Sequence, residues 1–250
     1  MRKRKLHPPI ETTWTGEQII PRKIHSLWIG DRPAPMKWIN TWKTMNPDWE
    51  HTLWGNEAVF SRKWKNQEMI DFYLKDTNRD TFKLHNGVTI RGDKAKYFQW
   101  HVIADVLRYE ILYEQGGYMP GADSECLRSI NDKFGGEAIY TVNTGCLYLK
   151  EHGRAMEEWE KKRFAPENAS PILASIPGHP FLKKILEELP KREWGEAVDT
   201  TGNVFMGDMF REYGVPDDMR IINYVKRAQR RNPHSLHYAG TTTGTYKRGV

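Results

Sequence analysis

Four charged side chains crowd one short stretch of the chain: Asp105 and Arg108, then Asp123 and Glu125. Their chemistry suits oxygen-rich ligands. A carboxylate accepts from a pair of vicinal hydroxyls, and a guanidinium donates to oxyanions. Carboxylate oxygens also suit Mg²⁺ or Mn²⁺. Each pair has a second reading. Asp105 and Arg108, three apart on one helical face, could form only an ion pair worth a few tenths of a kcal/mol. Asp123 and Glu125 could be ordinary solvated loop carboxylates. Binding is favoured for the first pair because both charges sit in largely apolar company, where burial without a partner is costly.

Those residues must be positioned by a helix and a turn. Ile103, Leu107 and Ile111 repeat at four-residue spacing, and Val102, Val106, Tyr109 and Tyr113 widen the stripe into a buried helix. Asp93 is expected to cap its start and Gly116 its end. The chain then turns through Gly116 and Gly117 and delivers Asp123 and Glu125 at the end of a short extended segment.

The string Ala-Asp-x-x-Arg-Tyr-x-x-Leu-Tyr-x-x-Gly-Gly, from Ala104 to Gly117, resembles the signature of the family-32 glycosyltransferases with sugar-binding DXD motifs. That group includes yeast initiating mannosyltransferases, with the clostridial glucosylating toxins as distant relatives. Pro21 to Gly30 resembles the strand that opens the family's catalytic domain, and Asn46-Pro47-Asp48-Trp49 with Trp54 resembles its next segment. The chain departs from the family at one point. Counted from the Gly-Gly pair, the first Asp of the DXD motif falls on Gly121 and the second on Asp123, with Ala122 between them.

The resemblance implies a single α/β domain of the GT-A kind, Rossmann-like, with a mixed and mainly parallel central sheet. It implies transfer of a hexose from a UDP- or GDP-hexose to a hydroxyl of a glycan or protein acceptor, with retained configuration and Mn²⁺ or Mg²⁺ as cofactor. Trp28 would stack on the donor's base, although a core tryptophan at a strand end is an equal reading of the residue alone. Ile29, Gly116, Gly117, Gly121 and Ala122 would line the donor site, and Asp105 and Arg108 would bind sugar and ribose hydroxyls. Asp123 would bind the metal directly, with Glu125 and His237 as further ligands. Gly121 removes the second anchor, so weakened metal or ribose binding is expected.

Elsewhere, Pro35 to Met45 carries apolar residues at three-residue spacing, which predicts a helix, and Trp49 to Trp54 alternates as a strand. Together with the strand before Gly30 they form a βαβ unit and therefore a parallel pair. Residues 56–76 read as helical. Thr81 to Arg91, turning at Asn86-Gly87, reads as a hairpin inserted near the site. Strands follow at 138–142, 146–149 and 220–225. Helices follow at 153–163, at 180–189 and at 203–213, the last ended by Gly214. Asp199 to Asn203 resembles the family's Thr-Gly-Pro segment.

With 250 residues the chain fits one domain over 20–250, preceded by a basic arm over 1–19. Ten tryptophans argue for a folded globule, and Cys126 and Cys146 make neither a zinc cluster nor a disulfide framework. There is no apolar run of membrane-spanning length and no signal peptide, so a cytoplasmic protein without a transmembrane segment is expected. The net charge of +6 is concentrated at the two ends. An anionic ligand and a plainly solvated surface explain it equally. Two other functions remain open: a glycan-binding module or pseudoenzyme that lost turnover at Gly121, and a basic nucleic-acid-binding protein. No nucleic-acid motif supports the second, and no nucleic acid is expected as partner.

Overall fold

The structure is a computed structural model that describes residues 16–76, 81–83, 89–143, 165, 168–223 and 235–237. The opening βαβ unit is present. Strand β1 (Lys23–Leu27), helix α1 (Met36–Met45) and strand β2 (Glu50–Trp54) follow in order, and the strands pair in parallel from Lys23↔Glu50 to Leu27↔Trp54. Pro35 stands at the N-cap of α1, and Asn46 ends it.

The stretch read as one helix over 56–76 is two, α2 (Asn56–Phe60) and α3 (Gln67–Asp76). The break is held by side chains that take over backbone groups. Trp64 Nε1 donates to the Val59 carbonyl, and Gln67 Oε1 accepts from the Trp64 amide. Asn66 is buried and turned inward, donating to Glu110 Oε1 and to the Leu186 carbonyl. Strands β3 (Thr81–Lys83) and β4 (Thr89–Arg91) pair antiparallel, as a hairpin over 81–91 requires. Its Asn86-Gly87 turn lies outside the described residues.

Helix α4 (Asp93–Gln115) is the long central element. Asp93 is its first residue, and the capping position belongs to Gly92 at φ 66°, a left-handed conformation that glycine adopts without strain. Gly116 ends the helix at φ 64°, its amide donating to the Leu112 carbonyl. The chain passes into β5 (Gly117–Tyr118), β6 (Ser124–Cys126) and β7 (Ile139–Asn143). Beyond β7 come β8 (Ala174–Ser175), α5 (Pro180–Glu188), a 3₁₀ turn (Leu189–Lys191), α6 (Ala197–Thr200), α7 (Asn203–Tyr213), β9 (Met219–Asn223) and β10 (Ser235–His237). His179 caps α5, its Nδ1 accepting from the Phe181 amide. The expected strand at 146–149 and helix at 153–163 lie outside the described residues, as do Tyr224 and Val225.

Six strands form the main sheet in the order β2-β1-β5-β8-β7-β9. The pairs β1–β2, β1–β5 and β7–β9 are parallel, and short β8 pairs antiparallel with both its neighbours. The sheet is therefore mixed and mainly parallel. Period-two alternation sends neighbouring residues to opposite faces. Ile139 and Met119 join the cluster around α4, with Ile103, Leu107 and Ile111, whereas Tyr140 and Tyr118 join the one around Trp42, Trp49 and Phe134. The stripe read from the sequence is the buried face of α4.

Candidate functional site

The site lies where β1 and β2 end and α4 passes over them. Beyond β1 the chain runs through Trp28, Ile29 and Gly30. Asn56 clamps this loop at two points, its Oδ1 accepting from the Gly30 amide at 2.9 Å and its Nδ2 donating to the Gly30 carbonyl at 2.8 Å. The indole Nε1 of Trp28 donates to the Arg32 carbonyl at 2.9 Å, fixing the ring. A cleft open to solvent is lined here by Trp28, Ile29, Asp31, Arg32, Trp100 and His101. Gly30, at φ 109°, adopts a backbone conformation that favours glycine, and a Cβ there would only reach ordinary contact with the Trp100 ring at 3.4 Å.

One face of α4 continues the cleft. His101, Asp105 and Arg108 follow at spacings of four and three, so they share a stripe. Burial holds the His101 imidazole below its ordinary value, and the Asp123 carboxylate pulls it back up, which places the two within electrostatic reach. Asp105 is half-buried. Burial pushes its carboxyl up to about 7, while the Arg108 guanidinium and the Thr201 hydroxyl act in the opposite direction. Thr201 Oγ1 donates to Asp105 Oδ2 at 3.0 Å. Arg108 Nη1 donates to the Met119 carbonyl at 2.9 Å. Its Nε is buried and has no hydrogen-bond partner within the structure.

The acidic segment is held by a tight turn. The Ser124 amide and hydroxyl both donate to the Gly121 carbonyl, at 3.0 and 2.5 Å. Trp42 Nε1 donates to the Ser124 carbonyl, and the Cys126 amide donates to Thr41 Oγ1, which ties β6 to α1. Asp123 is 7% exposed, and Glu125 is half-buried on β6. Strand β10 pairs antiparallel with β6 and sets His237 opposite Ser124 and Leu236 opposite Glu125. The register thus sets His237 across from the residue that follows Asp123. Among the described residues no group of three or more His, Cys, Asp or Glu is assembled as a metal cage. Mg²⁺ and Mn²⁺ do not require one, since one or two carboxylates plus substrate phosphates commonly hold them.

Gly116 and Gly117 are held in a tightly packed turn. Both are buried, at φ 64° and 91°. A Cβ on Gly116 would lie 2.7 Å from Pro177 Cδ, and one on Gly117 would lie 2.7 Å from the Lys23 carbonyl oxygen. Buried His25 braces this turn, its Nε2 donating to the Gly116 carbonyl while its Nδ1 accepts from Trp54 Nε1. Packing accounts for both glycines. Ala122 is also buried, in the turn before Asp123.

Three groups escaped the sequence reading. His101 was findable, one turn before Asp105 on the same stripe. Thr201 lies in the segment that resembles the family's Thr-Gly-Pro, yet nothing in its type announces a bond to a residue 96 positions away. The double clamp by Asn56 left no local signal.

Fold and site together define a class: an α/β domain with a mixed, mainly parallel sheet, an aromatic cleft beyond the first strand and an acidic segment beyond the central helix. Comparison with known proteins adds a likeness. Residues 34–140 match the glycosyltransferase sugar-binding region containing the DXD motif. This match agrees with the resemblance read in the sequence. It is 25% identical over 175 residues to inositol phosphoceramide mannosyltransferase 3 of Schizosaccharomyces pombe, covering 69% of this chain and 38% of that protein. To inositol phosphoceramide mannosyltransferase 2 of the same yeast it is 22% identical over 180 residues, covering 71% and 40%. The chain thus spans about two-fifths of the length of these relatives. Among solved structures, the PaToxG glycosyltransferase superposes with a TM-score of 0.43 at 16% identity, covering 81% of this chain and 73% of that one. No described helix is long and apolar enough to cross a membrane.

Proposed function

We propose that this chain transfers a hexose from a nucleotide-diphosphate sugar, UDP- or GDP-linked, to a hydroxyl of a glycan or protein acceptor. The observation that carries the reading is Arg108. A guanidinium N–H buried beside a carboxylate, without a partner of its own, calls for an oxygen-bearing ligand. The same side chain is anchored through Nη1 to the carbonyl of Met119, two residues before Gly121.

In this reading Trp28 stacks on the base within the cleft. Asp105 accepts from sugar or ribose hydroxyls, and Arg108 donates to sugar or phosphate oxygens. Asp123, with Glu125 and His237, would hold Mn²⁺ or Mg²⁺. The cation supplies charge neutralisation as the leaving group departs. The bond from the anomeric carbon to the phosphate oxygen breaks, and a bond to the acceptor oxygen forms on the same face. The acceptor's proton passes to the departing diphosphate. Gly121 carries no carboxylate where the motif has one, which favours a second reading of an impaired enzyme that binds donor and turns over slowly.

Calorimetric titration with UDP-glucose and with GDP-mannose, each with and without Mn²⁺, followed by assay of free nucleoside diphosphate, tests both. Metal-dependent binding with release is the expected result. Binding without release supports the impaired enzyme, and no binding of either donor rejects both readings.

A further inference from the structure

We infer that Thr201 is a positioning residue of the donor site, holding Oδ2 of Asp105 so that Oδ1 is the oxygen presented to a donor hydroxyl. The inference rests on Asp105 being donor-binding, as proposed above.

The observations are geometric. Thr201 is 0% exposed, and its hydroxyl donates to Asp105 Oδ2 at 3.0 Å. That hydroxyl also lies 3.2 Å from the Ala197 carbonyl, the ordinary back-bond of a threonine at a helix end. One proton cannot be fully committed to both, and the shorter, charge-assisted bond to a carboxylate is the stronger. The Thr201 backbone is fixed as well. Its carbonyl accepts from the Tyr109 hydroxyl at 2.7 Å, and its amide donates to the Ala197 carbonyl at 3.0 Å. Tyr109 and Asp105 are one turn apart on α4, so the short helix α6 is pinned to the same helix that carries the carboxylate. Next to it, a Cβ on Gly202 would lie 2.9 Å from the Ala197 carbonyl oxygen, so only glycine lets the chain turn this tightly after Thr201.

This arrangement divides the two carboxylate oxygens between protein and ligand. The charged and titratable groups facing Asp105 are Arg108 and Tyr109 from its own helix, and from the residue that ends α6 the facing group is the neutral Thr201 hydroxyl. Removing the hydroxyl takes away a bond that favours the carboxylate form. Asp105 should then hold its proton to higher pH.

The test compares Thr201→Val, which is isosteric and lacks the donor, with Thr201→Ser, which keeps it, and with Asp105→Asn. Two quantities are read: the Asp105 carboxyl titration by carbon NMR, and UDP-glucose or GDP-mannose affinity from about pH 6 to about pH 9. In Thr201→Val the titration midpoint is expected to rise by about 1, and donor affinity to fall about tenfold at neutral pH while recovering in alkali. Thr201→Ser should match the wild type in both. A Thr201→Val protein that folds normally and titrates like the wild type would overturn the inference alone. Unchanged donor affinity in Asp105→Asn overturns the donor role of Asp105, and the inference with it.

Discussion

Two titrating residues act on stability in opposite directions. The Asp105 carboxyl, raised by burial to about 7, keeps its proton in the folded chain over a range where the unfolded chain has lost it. Stability from this residue is therefore full below the unfolded value near 4 and falls as pH rises towards 7. His25, lowered by burial to about 4, is neutral when folded over a range where the unfolded imidazole is charged. Its contribution is lost as pH falls from about 6.5 to about 4. The two slopes offset across nearly the same window. Asp105→Asn should thus be more stable than the wild type at pH 8 and lose that advantage towards pH 4, a swing on the order of 3 kcal/mol. Urea unfolding at both pH values measures it, and a pH-independent difference would contradict the assignment. A second prediction at this scale concerns the departure from the family. Gly121→Asp should restore the missing carboxylate and tighten Mn²⁺-dependent donor binding about tenfold, read by calorimetry. An unchanged metal dependence would mean that the segment after Gly117 does not work as a DXD motif in this chain.

The elements explain why part of the site could be read in advance and part could not. The buried stripe of α4 and the parallel pairing of β1 with β2 follow from periodicity, which local sequence records directly. So does the place of Asp105 and Arg108 on one face. The break between α2 and α3 is decided by Asn66 reaching Glu110 and Leu186, contacts that no local pattern encodes. Gly116 and Gly117 show the same limit, because their identities mark a turn while the neighbours that exclude a Cβ come from β1, β8 and Pro177. Gly116→Ala should destabilise the fold by about 3 kcal/mol, from a left-handed φ and a clash with Pro177. Denaturant titration checks this, and a loss below about 1 kcal/mol would show that the turn relaxes freely. Asn56→Ala should act on the cleft instead. With the Gly30 loop unclamped, donor affinity is expected to fall about tenfold while thermal stability changes little. A fall in stability without a change in affinity would place the clamp in folding alone.

At the scale of the molecule, the site is assembled from distant parts of the chain. The stretch matched by the glycosyltransferase model spans residues 34–140, yet Trp28 precedes it and Thr201 and His237 follow it. The pairing of β10 with β6 sets His237 opposite Ser124, the residue after Asp123, across more than a hundred residues, a neighbourhood that the sequence suggests only through its family resemblance. His237→Ala should weaken Mn²⁺-dependent donor binding about tenfold and leave metal-free binding unchanged. Equal loss in both conditions would assign His237 to the fold. The His25 tie to Gly116 joins positions 91 apart and stands at the middle of the main sheet. Its consequence is kinetic. Closing so long a loop must precede the contacts that reward it, so folding should be slow for a chain of this length. The cleft beyond β1 takes one wall from each side of that closure. A nascent or refolding chain therefore has no binding site until β1 and β5 have met, and donor capture will lag behind the appearance of helical signal.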